Sequence, residues 1–517
     1  MKPHAANPDE ATERALAAVA TGTGIALAGR VTAAGLGYAF SVLIARWLGA
    51  EDLGLFSLAF TLCTAVTILG RFGLGETTVL RFVALYRGEA ALGRAKGTMR
   101  FVLRTTLSSS FLLALVLLLM APTIAVNVFG KPELAWVLRG LAWMVPASNL
   151  AGVALAATQA CGVMTYVALT TGIIAPLLQL IVAAVLVGLG YGLSGAVIAA
   201  VAAQAAAAVL GHRFLGRVMP ELHDDQVPAH VERARLLRFA GSMIGLDLTS
   251  YLTGWIDILL LGAYVTAHDL GLYSAAARTA ALTSFLLLGV NALFVPTMAD
   301  LFNRGELAIL ERVFKTVTKW VMTIALPVFL LCALRGGAIL ALFGPEFRAA
   351  AAPLAVLAAG QLVNAATGSV GYMLIMSGRQ NLALADQIGG LCLALILSLW
   401  LIPQWGPFGA AVAMGSTIAA VNLVRLIQVR VLIRLHPYDA SFRQPLIATA
   451  GALLAGLAAT VAAPAEGVAA MGVPALAFAV TYAALLIALG FSREDRLVLD
   501  RLRTQMATLR TRSAAVR

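Results

Sequence analysis

The sequence predicts an all-α polytopic membrane protein with about 14 transmembrane helices: two pseudo-symmetric six-helix lobes around a central cavity, plus two extra C-terminal helices. The first observation is composition, because 60% of the 517 residues are hydrophobic, 12% are charged and mean hydropathy is +0.89. A soluble domain carries about 25% charged residues and 45–50% apolar ones. The other observations are long apolar stretches and an internal repeat.

The apolar stretches have the length of membrane spans, which need about 20 mostly apolar residues. We number them spans 1 to 14 in chain order. They are expected near 24–46, 53–75, 101–128, 134–158, 163–189, 192–213, 239–264, 270–295, 317–342, 349–376, 380–403, 408–432, 445–464 and 471–491.

Lys and Arg alternate between rich and poor loops, which predicts the orientation by the positive-inside rule. Loops 76–100, 214–238 and 296–316 and the C-terminal tail are rich, whereas the intervening loops hold few. Both termini are therefore expected in the cytoplasm, and the net charge of +12 reflects topology rather than nucleic-acid binding. The segment before Thr21 is polar and acidic and does not resemble a cleaved signal peptide.

The internal repeat relates spans 1–6 to spans 7–12. WLGAEDLGLFSLA at 47–59 returns as YVTAHDLGLYSAA at 264–276, with seven of thirteen positions identical and an offset of 217. Further glycine and polar pairs follow with nearly the same offset. Six spans per copy is an even number, so both copies enter the membrane in the same direction around an axis along its normal, with a cavity between them.

The repeated motif is expected to be a structural corner on the outer side rather than a substrate site. Asp52 and Asp269 follow a tight turn, where a carboxylate favours the positive end of the next helix. Gly54 and Gly271 would allow close helix packing. Residues 76–100 predict an amphipathic cytoplasmic helix, matched in the second copy by 296–316.

The expected domain organisation follows from these boundaries. It consists of a cytoplasmic segment 1–20, an N-lobe 21–215, a cytoplasmic linker 216–238, a C-lobe 239–433, spans 13 and 14 in 434–492, and a basic cytoplasmic tail 493–517. The four cysteines lie far apart beside apolar runs, and the six histidines form no ligand-spaced cluster, so no metal is predicted. No nucleotide-binding motif is present, and no cofactor is predicted.

Ionisable residues inside the spans are the candidate site, because they are costly in lipid and normally line a cavity. The substrate-binding candidates are Arg30, Arg71, Arg139, Arg278 and Ser250, and the coupling-ion or proton candidates are Asp247 and Asp257. Adding 217 to Arg30 gives Asp247, so the two lead helices are expected to place opposite charges across the axis. A structural ion pair there is the competing interpretation.

The excess of arginine predicts a cavity that attracts an anion, and Arg binds phosphate bidentately. ARWLGAEDLGLFSLA at 45–59 and GRFGLGETTVLRFVA at 70–84 resemble the start of the Wzx-type polysaccharide or oligosaccharide flippases. These belong to the multidrug/oligosaccharidyl-lipid/polysaccharide exporter superfamily, and the resemblance covers about residues 20 to 495.

The resemblance implies a V of two lobes in the bacterial inner membrane and transfer of undecaprenyl-pyrophosphate-linked oligosaccharide to the outer leaflet. It also implies alternating access, with cationic residues binding the pyrophosphate. Related lipid II flippases use arginines on the first span, which Arg30 fits best. The lobes would contact membrane lipids, and a polysaccharide polymerase or export protein is a possible partner.

Two other functions are compatible with parts of the sequence. A drug/cation antiporter of the same superfamily would favour an acidic, aromatic cavity, whereas the arginines favour an anionic substrate. A membrane-embedded glycan polymerase or ligase would need a sizeable external loop, and the predicted external loops are short. The sequence therefore predicts a transporter rather than an enzyme.

Overall fold

The computed structural model describes residues 24–222, 224–462 and 468–489, and this part of the chain is helical without strands. Eleven of its helices are long and apolar enough to cross a membrane. Two of them, Gly29–Gly88 and Gln380–Ile433, each contain two spans joined at a break, and Leu476–Ala488 is a shorter apolar helix. The chain is a multi-pass membrane protein with the predicted fourteen spans. The predicted cytoplasmic segment 1–20 and tail 493–517 lie outside the described residues.

The helices follow the predicted order closely. In the N-lobe they are Gly24–Arg71 (spans 1 and 2), Glu76–Gly88, Leu92–Thr123 (span 3), Leu134–Leu141 with Met144–Ala160 (span 4), Thr165–Leu169 with Ala175–Gly188 (span 5), and Gly192–Val218 (span 6). In the C-lobe they are Arg233–Tyr264 (span 7), Ala267–Ala280 with Phe285–Arg304 (span 8), Leu307–Leu340 (span 9), Ala351–Thr367 (span 10), Val370–Met376, and Gln380–Gln428 (spans 11 and 12). Spans 13 and 14 are Arg443–Ala462 and Val468–Ala488.

Matched turns show that the sequence repeat is also a structural repeat. Gly162 and Gly378 follow spans 4 and 10 with φ of 85° and 80°, and Gly192 and Gly406 begin spans 6 and 12 with φ of 55° and 51°. Side chains other than glycine rarely adopt this left-handed region. The two copies therefore turn the chain in the same way at equivalent positions.

The repeated motif forms the contact between the lobes. A Cβ built on Gly54 would lie 1.9 Å from the carbonyl oxygen of Ala267, and one built on Gly271 would lie 1.8 Å from that of Ala50. Each copy thus packs its glycine against the other copy's corner, with no room for even a methyl group. The corner is structural, as predicted, and its neighbour is its own duplicate.

Helix capping at the second corner differs in detail from the prediction. Thr266, rather than Asp269, is the N-cap of span 8, and its Oγ1 accepts the backbone N–H of Asp269 at 3.1 Å. Asp269 completes a reciprocal cap by accepting from the Thr266 hydroxyl at 2.9 Å. The prediction identified the correct turn but placed the cap at Asp269, three residues after the observed N-cap, Thr266.

Polar contacts close the lobes at this end, which we call the corner end. Glu346 Oε1 accepts the backbone N–H of Ala50 at 2.9 Å, across the lobe boundary. Lys131, which is buried, donates from Nζ to the carbonyl oxygens of Gly262 at 2.5 Å and Val265 at 2.7 Å, at the end of span 7. A cation there satisfies carbonyls that the helix leaves unpaired. Burial lowers the pKa of Lys131 from its ordinary value.

The opposite end, which carries the arginine-rich loops, is called the basic end. Spans 1 and 8 remain bonded as far as Tyr38 and Thr279, whose hydroxyls lie 3.2 Å apart. Closer to the basic end, Arg30, Val31 and Thr32 on span 1 are exposed, whereas Phe40 and Ile44, toward the corner end, are buried. The lobes therefore touch at the corner end and leave span 1 uncovered toward the basic end.

Spans 2 and 7 stay in contact on the other side of the bundle. A Cβ on Gly73 would lie 2.0 Å from the carbonyl oxygen of Ala240, and the rings of Phe82 and Phe239 are 5.4 Å apart and perpendicular. Gly73 has φ of +68°, which ends span 2 and starts the turn into the helix Glu76–Gly88. At the basic end the lobes are therefore separated beside span 1 but remain in contact beside spans 2 and 7.

The prediction of a matching amphipathic helix at 296–316 is wrong. The helix Phe285–Arg304 runs through this region and ends at Gly305, whose φ is +72°, and the next helix starts at Leu307. The offset of 217 places Val290 where the first copy has Gly73. Val cannot readily adopt a left-handed conformation, so span 8 continues where span 2 stops.

Candidate functional site: cavities at the basic end

Arg30 lines a small cavity on the uncovered part of span 1. The cavity has a volume of about 160 Å³ and lies between Gly29, Arg30 and Ala33 of span 1 and the start of span 5, including Thr171. Span 1 can approach span 5 closely because Gly29 and Gly172 cross there. Within the described residues, the Arg30 guanidinium forms no hydrogen bond or ion pair, so its five donors are free for a ligand.

A second N-lobe cavity of about 330 Å³ adjoins the first and shares Thr171 with it. It lies between spans 2, 4, 5 and 6, and it is lined with hydroxyl and amide groups. These polar residues are Thr64, Thr67, Ser148, Thr171, Gln179 and Gln204. Such groups can both donate and accept hydrogen bonds.

Arg71 lies in this second cavity but is already occupied. Its Nη2 is 3.1 Å from Glu76 Oε1, and its Nε donates to Asn149 Oδ1 at 2.7 Å. Asn149 also donates to the Ser110 hydroxyl at 2.6 Å and so connects spans 2, 3 and 4. Arg71 therefore contributes polarity to the cavity wall, with its charge largely offset by Glu76.

Asp247 has Arg71, rather than Arg30, as its arginine neighbour in electrostatic terms. It is half-buried on span 7, within electrostatic range of Arg71 and Glu76 across the lobe boundary. Arg30 and Asp247 form no ion pair with each other in the described structure. Two residues at equivalent positions of the repeat contact each other only if both side chains point toward the axis between the lobes. Arg30 instead points into the cavity of its own lobe.

Arg278 and Ser250 have different surroundings. Arg278 donates from Nη1 to the Ser41 hydroxyl at 2.7 Å, so it bonds the C-lobe to span 1 beside the Tyr38–Thr279 contact. Ser250 accepts from Gln387 Nε2 at 2.9 Å on the C-lobe side. Arg278 thus belongs to the contact between lobes, and Ser250 is bonded to Gln387, which lines a C-lobe cavity.

Arg139 and Asp257 lie outside the described cavities. Arg139 is exposed, and its Nε lies 3.4 Å from the carbonyl oxygen of Leu118 on span 3. Asp257 is buried and accepts from the hydroxyl of Tyr273 at 2.5 Å and from the backbone N–H of Ile258 at 2.9 Å. The offset of 217 makes this pair equivalent to Phe40 and Phe56, whose rings are 5.4 Å apart.

This equivalence gives a test of Asp257. We expect the double variant Asp257→Phe with Tyr273→Phe to fold and remain active, because it recreates the ring pair of the first copy. Tyr273→Phe alone removes the hydroxyl that donates to the buried carboxylate and should cost about 1–3 kcal/mol. Thermal unfolding of the purified variants and complementation of a deletion strain provide the two measurements. A double variant that folds normally but does not complement the deletion would make Asp257 a coupling site.

Sequence reasoning missed three residues in the C-lobe. Gln387 and Arg425 line a cavity of about 470 Å³, and Asp386 lies 3.7 Å from Arg425 Nε. Asn422, Arg425 and Gln428 recur at three-residue spacing on span 12, a polar stripe within an apolar run. That stripe could have been found by the same criterion that selected Asp247.

Comparisons with known proteins give the family. A model of the family described as "Polysaccharide biosynthesis protein" matches residues 19–302, which is more than half of the chain. The chain belongs to this family.

The chain is also similar to two curated relatives and to one solved structure. It is 29% identical over 183 residues to "Probable flippase AglR" of Haloferax volcanii, covering 34% of this chain and 37% of that protein. It is 24% identical over 335 residues to "Succinoglycan biosynthesis transport protein ExoT" of Rhizobium meliloti, covering 63% and 62% of the two chains. It thus spans less than half the length of AglR.

The structure named "Lipid II flippase MurJ, inward closed conformation" superposes with a TM-score of 0.70 over 88% of this chain and 96% of that chain, at 14% identity. At this identity the likeness concerns the fold alone. The predicted fold class is confirmed, and so is the resemblance to the polysaccharide exporter superfamily.

Proposed function

We propose that the protein is a flippase that moves polyprenyl-diphosphate-linked oligosaccharide units across the bacterial inner membrane by alternating access. The observation that carries the proposal is Arg30, which has no partner among the described residues and lines a cavity that opens on the uncovered part of span 1. Free guanidinium donors at membrane depth are costly unless they serve a ligand. Phosphate matches their planar fork.

The basic loops support an orientation with the cavity open to the cytoplasm and both termini on that side. In this state the corner end is closed by Glu346 and Lys131. Loading would occur from the inner leaflet, and release would require these contacts to break. The names of AglR and ExoT, a flippase and a transport protein, favour transport over a polymerase or ligase.

Coupling to an ion gradient is assigned to Asp247. Its carboxylate lies on span 7 within electrostatic range of Arg71, which forms an ion pair with Glu76 at 3.1 Å. Protonation of Asp247 would therefore change the electrostatic field at this ion pair of the other lobe. A drug/cation antiporter remains the rival function, and it would require these acids, rather than Arg30, to contact the substrate.

Deletion of the gene and complementation test the proposal. We expect the deletion strain to lose surface polysaccharide and to accumulate lipid-linked oligosaccharide, and the wild-type gene to restore both. The lipid-linked intermediate is measured by mass spectrometry of lipid extracts. A deletion strain with normal polysaccharide and altered drug resistance would support the antiporter instead.

A further inference from the structure

The repeat has built the Arg30 cavity a second time, in the C-lobe. Subtracting 217 from Leu246 gives Gly29, and subtracting 216 from Gln387 gives Thr171. The first member of each pair lines the C-lobe cavity, and the second lines the N-lobe cavity. Both cavities therefore lie between the lead helix of a lobe and the start of that lobe's fifth span.

The two cavities differ in charge. Arg30 has no partner among the described residues, so the N-lobe cavity carries a full positive charge. In the C-lobe the cation is Arg425, from span 12, and it is paired with the carboxylate of Asp386 at 3.7 Å. Gln428 Nε2 donates to the other oxygen of Asp386 at 2.7 Å and fixes the carboxylate there. The C-lobe cavity is thus close to neutral.

The C-lobe cavity also offers hydrogen-bonding groups of both kinds. The Gln387 amide donates to Ser250, which leaves its carbonyl oxygen able to accept. Arg425 also lines the cavity, and its guanidinium carries further N–H donors. Tyr372 lines the wall with an exposed ring. Sugar hydroxyls donate and accept, and the C–H face of a sugar ring packs on an aromatic ring.

The volumes of the two cavities are consistent with binding two different parts of one ligand. The N-lobe cavity, at about 160 Å³, suits a compact anionic group, whereas the C-lobe cavity, at about 470 Å³, is within the range of about 300–1,000 Å³ for organic ligands. Ion pairing removes the preference of Arg425 for an anion without removing its donors.

We infer that the C-lobe cavity binds a sugar ring of the cargo, while its N-lobe duplicate binds the diphosphate. The inference rests on the proposed function and assigns the two ends of the cargo to the two lobes. Gln387 and Tyr372 are the residues that recognise the sugar.

The test uses two lipids that differ only in the glycan: undecaprenyl diphosphate, and the lipid-linked oligosaccharide extracted from the deletion strain. Binding to the full-length protein in nanodiscs is measured by native mass spectrometry. We expect wild-type protein to bind the glycan-bearing lipid about tenfold more tightly. Tyr372→Ala with Gln387→Ala should abolish that difference and leave the affinity for undecaprenyl diphosphate unchanged.

The control variant is Tyr264→Ala with Gln404→Ala, which removes the same two side-chain types from exposed C-lobe positions outside the cavity. It should bind both lipids like wild type. Arg30→Ala should weaken both lipids by the same factor. Melting temperatures confirm that each variant is folded.

Equal weakening of both lipids by the double variant, or no change in either, would overturn the sugar assignment. So would wild-type protein that binds undecaprenyl diphosphate but gains nothing from the glycan, and in that case the proposed function would stand. If wild-type protein binds neither lipid, the proposed function fails, and the sugar assignment fails with it.

Discussion

Arg30→Ala is expected to reduce glycan export about a hundredfold while leaving the protein folded in the membrane. A hydrogen bond to a charged group contributes about 1.5–3 kcal/mol, and about 1.4 kcal/mol corresponds to a factor of ten. Loss of a bidentate contact from Arg30 to phosphate would therefore lower the export rate about a hundredfold. Because Arg30 has no hydrogen bond or ion pair within the described part of the chain, its removal breaks no polar contact there. Surface polysaccharide and accumulated lipid-linked intermediate are the measurements.

The matched control for this variant is Arg213→Ala on span 6. Arg213 is also exposed, lies toward the same end of the bundle and lines none of the described cavities, so only bulk charge changes. We expect near-normal export. Arg30→Lys keeps the charge but not the planar fork and should give an intermediate rate. Equal losses for Arg30→Ala and Arg213→Ala would show that net charge, not the Arg30 cavity, matters.

Gly271→Ala is expected to have the largest effect on stability. The new Cβ would lie 1.8 Å from the carbonyl oxygen of Ala50, and backbone on both sides cannot move away as a flexible side chain could. Overpacking costs about 1–3 kcal/mol in ordinary cores, and we expect this contact to reach at least the upper end of that range. Thermal unfolding in detergent and the amount of protein in the membrane provide the measurement.

Gly241→Ala provides the control for the corner. Gly241 is a helical glycine on span 7 with nothing within 4 Å of its added Cβ. Alanine favours a helix over glycine by about 1 kcal/mol, so this variant should be as stable as wild type or more so. If Gly271→Ala and Gly241→Ala have the same melting temperature, the two corners do not hold the lobes as described.

The repeat explains why so much of the fold could be predicted. A constant offset fixes topology, because an even number of spans per copy can be arranged in few ways, and matched glycines such as Gly162 and Gly378 mark the same turns. The offset does not say which residues touch. That Gly54 packs on Ala267 and Gly271 on Ala50 depends on where the axis passes.

The candidate site was less predictable, for a related reason. Because Arg30 and Asp247 occupy equivalent positions in the repeat, they were expected to face each other. The repeat fixes the position of each residue along its helix, but it does not fix whether the side chain points toward the axis between the lobes. Arg30 points into its own lobe, and Asp247 lies near Arg71. Arg425 was missed because it lies toward the end of span 12, where a charge normally marks the membrane boundary. Its pairing with Asp386 and its place in the C-lobe cavity show that it faces inward.

The central claim is that a lipid-linked glycan crosses the bilayer through the cavity that Arg30 lines. It is tested most directly in proteoliposomes that contain the lipid-linked oligosaccharide, by measuring how much glycan becomes accessible to a membrane-impermeant oxidant. We expect wild-type protein to expose the inner-leaflet pool and Arg30→Ala to remain near the rate of protein-free liposomes. Exposure by wild-type protein no faster than in protein-free liposomes, or equal exposure by Arg30→Ala, would contradict the account.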